Sequence, residues 1–64
     1  MKVSFHISTA GIAGDPHKLL IAETGSRTER EMFNSNSLWS LRRAKRRLMK
    51  RLEILTGRKP VEAD

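Results

Sequence analysis

In the stretch KVSFHIS, from Lys2 to Ser8, apolar and polar positions alternate, with Val3, Phe5 and Ile7 on one side and Ser4 and His6 on the other. That two-residue period marks a strand with one buried face, about 2–8. TAGIAGDP follows, and its two glycines, Asp15 and Pro16 predict a loop. KLLIAE is a short apolar run between turn residues and predicts a second strand, about 18–24. Its inward face is left open, because Leu19 and Ile21 oppose Leu20 and Ala22. Gly25-Ser26 fits a two-residue hairpin turn, where glycine would supply a positive φ. A third strand, about 27–33, would return antiparallel, although TEREM also fits a helix.

NSNS then marks a helix start, with Asn36 or Ser37 able to cap the free amides of the first turn. Gly57 suits the left-handed position that ends a helix, and Pro60 blocks continuation. The helix is predicted over 37–56, and residues 58–64 are expected to form a flexible tail. At 100° per residue, Leu38, Leu41, Ala44, Leu48, Leu52 and Leu55 share one stripe, with Met49 at its edge. The opposite side carries Arg42, Arg43, Arg46, Arg47 and Lys50. Trp39 projects from the middle of that side and Ile54 from its far end. The expected fold is α+β in the order β-β-β-α. A small antiparallel sheet of two or three strands packs against one long C-terminal basic amphipathic helix, in a single domain over 1–57. There is no internal repeat and no low-complexity tract.

Charge changes this picture more than composition does. The net charge of +6 is unevenly placed. Up to Leu41, Lys2, Lys18, Arg27 and Arg30 balance Asp15, Glu23, Glu29 and Glu31. From Arg42 onward nine basic residues face only Glu53, Glu62 and Asp64. A neutral front half joined to a basic back half implies a concentrated interaction surface. The remaining bounds are simple. Sixty-four residues sit near the lower end of what one apolar core can hold together. The absence of cysteine excludes disulfides, and two histidines are too few for an ordinary structural zinc site, so no metal or cofactor is expected. No apolar run approaches the roughly 20 residues that span a bilayer. MKVSFHIS lacks the apolar core of a signal peptide, because Lys2, Ser4, His6 and Ser8 interrupt it. A soluble protein in a cytoplasm-like compartment is expected.

Seven of the ten residues from Arg42 to Arg51 are basic. A merely solvated face would intersperse acids at i, i+4 spacing, and none occurs there. Like charges one turn apart cost a helix a few tenths of a kcal/mol per pair, which a bound polyanion would relieve. The sequence therefore favours nucleic-acid binding through Arg42, Arg43, Lys45, Arg46, Arg47, Lys50 and Arg51, extended by Arg58 and Lys59. DNA is favoured over RNA. Phosphate contacts would dominate, with little sequence preference, and five of them would give a log K against log salt slope of about −4.5 on duplex DNA. Trp39 has three readings: burial in the core or at an interface, stacking beside phosphates held by Arg43 and Arg46, or a cation–π contact with Arg43. Its residue type favours burial.

Other chemistry finds little support. His6 and His17 could act as acid or base, with Asp15 orienting His17, but no carboxylate pair, nucleophile–base arrangement or phosphate loop accompanies them. GIAG lacks the helix–loop–helix setting in which a G-x-x-G loop clamps nucleotides. No enzyme is expected. The leucine face of the helix is needed by the strands, which argues against a lipid surface. The element order is similar in outline to the arm-type DNA-binding domains of phage integrases and related plant domains. That resemblance implies a sheet reading the major groove, whereas here the charge excess lies on the helix. It covers element order only, no motif residue matches, and no family is claimed.

A second reading comes from another class: a small regulator or inhibitor, by its size phage-encoded, that docks the basic helix on an acidic protein. Trp39 and Ile54 would then be anchors, since interface hot spots favour Trp and Arg. Lengths add one further expectation. Twenty helical residues extend about 30 Å, against about 20 Å for strands of six or seven. The leucine stripe should overhang the sheet through Leu52 and Leu55, and a homodimer would cover it. Alternatively, the TAGIAGDP loop would fold over, with Ile12 as its plug.

Overall fold

A computed structural model describes residues 1–8 and 14–63. In chain order they form β1 (Lys2–Ser8), β2 (His17–Glu23), β3 (Thr28–Asn34), α1 (Leu38–Thr56) and β4 (Val61–Glu62). The sheet order is β3-β2-β1-β4. β1 pairs with β2 and β2 with β3, both antiparallel, and β4 joins β1 in parallel with Lys2 opposite Val61. The fold is thus mixed α+β, with a mostly antiparallel sheet of four strands instead of two or three.

Register settles the face of the second strand. Phe5 lies opposite Ala22 and Ile7 opposite Leu20, so Leu20 and Ala22 turn inward with them. Leu19 and Ile21 turn to the outer face, which no element covers among the described residues. TEREM is strand and not helix. Phe33, opposite Lys18, is buried beneath α1 and anchors β3 on the inner face. The turn does form at Gly25-Ser26, but not for the expected reason. Positive φ occurs only at Gly14 and Gly57 among the described glycines, so Gly25 supplies none. Thr24 holds the turn instead. Its amide donates to the Arg27 carbonyl at 2.8 Å, and its hydroxyl accepts from the Arg27 amide at 3.0 Å.

Entry into α1 uses the asparagine–serine run as a chain of small caps. The Asn36 amide donates to Asn34 Oδ1 at 2.9 Å, and the Asn34 amide to Ser40 Oγ at 2.8 Å. Ser37 is the N-cap, accepting from the Ser40 amide at 3.3 Å. At the other end Gly57 is left-handed, with φ 70°, and its amide donates to the Glu53 carbonyl at 2.9 Å. The helix lies mainly over β3 and β2. Ala44, Leu48 and Leu52 close on Val3, Leu20, Ala22 and Phe33, with Met1, Phe5, Leu41 and Met49 around them.

The expected tail makes the fourth strand. After Gly57 the chain folds back, Pro60 is buried, and the amides of Val61 and Ala63 donate to the Met1 and Val3 carbonyls, each at 2.7 Å. Two residues of strand carry no readable periodicity, and the pairing is made by backbone groups that every sequence has. Part of the overhang is covered in the fold. Leu52 is fully buried, while Leu55 stays 48% exposed and Leu38, at the other end of the stripe, 63%. Ile12, the alternative plug, lies outside the described residues, as does most of GIAG.

Candidate functional site

The seven cations of 42–51 all sit on α1, but the sheet divides them into two sets. Arg51 Nη2 donates to Glu31 Oε2 at 2.8 Å, and its Nη1 to the Arg30 carbonyl at 3.1 Å. Arg47 reaches the other oxygen of the same carboxylate at 3.5 Å. On the far flank, Lys45 Nζ donates to Glu62 Oε1 at 2.8 Å and lies 5.2 Å from the centre of the Phe5 ring. Arg42, Arg43, Arg46 and Lys50 make no ion pair among the described residues.

Helix geometry explains the division. Taking 100° per residue, Lys45 and Arg51 border the buried stripe on its two sides, and Arg47 lies next to Arg51. Their long stems run along the sheet's rim and their heads meet its carboxylates. Glu31 stands opposite Leu20, on the inner face of edge strand β3, so its side chain rises toward α1 and is only 18% exposed. An inward acid on an edge strand also discourages pairing with another chain. The four remaining cations fall within an arc of about 100° centred opposite the core, and Trp39 projects from the middle of that arc. From Arg42 to Lys50 the set extends about 12 Å along the axis. This is the crest of the helix.

Trp39 is not in the core, against what its residue type favours; it is 72% exposed. The indole sits in the first turn, before the buried part of the stripe begins at Ala44, and no element bends over it among the described residues. Its cation–π partner is Arg42, three residues on, with the guanidinium carbon 5.5 Å from the ring centre, and not Arg43. Trp39, Arg42, Arg43 and Arg46 together line a groove of about 240 Å³. At the other end of the crest, Ile54 is also 72% exposed, and with Leu55, Arg47, Lys50 and Arg51 it lines a second, apolar groove of about 370 Å³. Glu53, exposed, is the one acid near the crest among the described residues.

Arg58 and Lys59 lie in the exposed turn after α1. The histidines are held apart in separate surface pairs. His6 Nε2 is 3.1 Å from Glu23, and His17 Nδ1 is 3.1 Å from Asp15, all four side chains being open to solvent. Asp15 also accepts the His17 amide at 2.9 Å, and this backbone bond, with the ring contact, holds its carboxyl below the usual range. That is the chemistry of a turn leading into β2. No cluster of three metal-ligating side chains occurs among the described residues, and no described helix is long and apolar enough to cross a membrane.

Searches against protein-family models, curated proteins and solved structures find no match for this chain. The outline likeness to arm-type domains therefore carries no argument. The outer face of the sheet does not help it either, since its cations Lys2 and Arg30 stand apart on β1 and β3, among Ser4, His6, Ile21, Glu23 and Met32.

Proposed function

We propose that this protein binds nucleic acid through the crest of α1. The supporting observation is the division of the cations. Lys45, Arg47 and Arg51 are held in ion pairs within the chain, with Glu62 and Glu31 as two carboxylates for three cations, whereas Arg42, Arg43, Arg46 and Lys50 repel one another at i, i+3 and i, i+4 spacing. A phosphate backbone relieves that repulsion, and its contacts fix position without reading sequence. The contact set is smaller than charge counting gives. Four phosphates, not five, correspond to a log K against log salt slope of about −3.6 on duplex DNA and about −2.8 on a single strand. Fluorescence anisotropy of a labelled oligonucleotide across a salt series tests this. Affinity that ignores salt would remove the proposal.

The second reading, docking on an acidic protein, is favoured by one observation. Ile54 and Leu55 form an exposed apolar floor rimmed by Arg47 and Lys50, the kind of patch that marks a protein contact surface. Replacing Ile54 by Ala separates the two readings. Nucleic-acid binding by the crest should keep its salt dependence, while a protein partner would be lost. The same floor is where a two-fold dimer would close, bringing two crests onto one polyanion. With Leu52 already covered, Leu55 and Ile54 are what such a dimer would bury, and Leu55, half-exposed, would gain about 1 kcal/mol, half of the range for a fully exposed leucine. Sedimentation at micromolar concentration should then give twice 7.3 kDa, and a strict monomer would end the dimer.

A further inference from the structure

The geometry points to a single-stranded nucleic acid as the ligand of the crest, with one unpaired base stacked on Trp39; this rests on the nucleic-acid reading and narrows it. Trp39 is 72% exposed in a domain with little apolar surface to spare, and it stands among cations. Arg42 lies over the indole at 5.5 Å, which fixes the ring's attitude without covering it. The groove that Trp39 shares with Arg42, Arg43 and Arg46 measures about 240 Å³ and has no acidic wall. Ligand pockets for whole cofactors run to about 300–1,000 Å³. This groove is open and smaller, suited to one planar group with its phosphate.

The chemistry of the site selects the strand state. An indole stacks on a base only where that base offers a free face, and in a duplex both faces are already stacked on neighbours. Reaching one there means unstacking a step, at a cost of a few kcal/mol. A single strand offers its bases freely, and stacking on an aromatic platform tolerates any sequence. Arg43 and Arg46, on the same side of the helix, hold the phosphates flanking that base. Lys50 extends the track by one further turn.

Trp39 is the sole tryptophan and there is no tyrosine, so intrinsic fluorescence reports this site alone. The test titrates the protein at low salt with an oligothymidylate, with a duplex of equal length, and with inorganic polyphosphate, which has the charge but no base. Expected results are strong, saturable quenching by the single strand and weak quenching by the other two. By labelled-strand anisotropy, Trp39→Ala should weaken single-strand affinity about tenfold, much more than duplex affinity, and Trp39→Phe should keep most of it. Equal quenching by all three, or a Trp39→Ala protein that binds the single strand as the parent does, overturns the stacking inference and leaves the charge-based reading standing. Absence of binding to all three overturns both. A Trp39→Ala protein that fails to fold by circular dichroism leaves the decision to the parent's quenching and to Trp39→Phe.

Discussion

Two sets of cations on one helix have the same chemistry and different surroundings. Lys45, Arg47 and Arg51 flank the buried stripe, where carboxylates from β3 and β4 come up to meet them. Arg42, Arg43, Arg46 and Lys50 stand on the crest, where the sheet cannot reach. The flank cations fasten the helix to the sheet, while the crest cations repel one another and stay available. A basic tract that looks like one surface is therefore two. Only the second is a candidate for an external polyanion.

The comparison can be broken at its base. Leu48 is fully buried beneath both sets, and Leu48→Ala should destabilise the fold by about 2–5 kcal/mol, seen as a lower urea midpoint. A domain this small would then be largely unfolded, with flank pairs and crest lost together. A loss under about 1 kcal/mol would mean that this core does not hold α1 against the sheet.

Glu31→Gln sharpens the comparison, because its two effects have opposite signs. The carboxylate holds Arg47 and Arg51 at once and is 18% exposed, although both arginine heads are more open. Its loss should cost about 1 kcal/mol of stability, discounted for solvent screening. The freed guanidinium groups should then join the crest. With six phosphates engaged the single-strand salt slope would steepen to about −4.2. A variant that loses stability and gains no affinity would show that the flank cations cannot reach the ligand.

Replacing Gly57 by Ala tests the turn that brings β4 back to β1. Its φ of 70° is strained for any side chain, with an expected cost of about 1 kcal/mol in urea unfolding. No neighbouring atom lies within 4 Å of the added methyl, so the cost is conformational, and crest binding should not change. The smallest effect belongs to the crest itself. Changing Arg42, Arg43, Arg46 and Lys50 together to Gln should raise stability by a few tenths of a kcal/mol per relieved pair. Calorimetry showing a clear loss instead would mean that these side chains also support the fold.

Much of this architecture is legible in the residue pattern alone. The alternation of KVSFHIS, the capping run ahead of Leu38 and the Ala44–Leu48–Leu52 stripe each carry their own period or cap. What stays hidden depends on groups distant in sequence. Glu31 is 16 and 20 residues from its two arginines, and no helical spacing rule connects them. Its one sequence signal is the alternation of TEREM, which as a strand puts Glu29 and Glu31 on Phe33's face. β4 is illegible because two residues make no pattern. Trp39 defies its residue type because burial depends on place, and none of the described residues covers the first turn of α1.

The most direct measurement is the salt dependence of oligonucleotide binding by the parent protein beside the crest Gln variant. Between about 50 and 200 mM salt the parent's log K on a single strand should fall with a slope of about −2.8, and the variant's affinity should collapse with its slope near zero. Equal slopes for the two proteins, or a parent whose affinity does not respond to salt, would contradict the assignment of the crest as a polyanion surface.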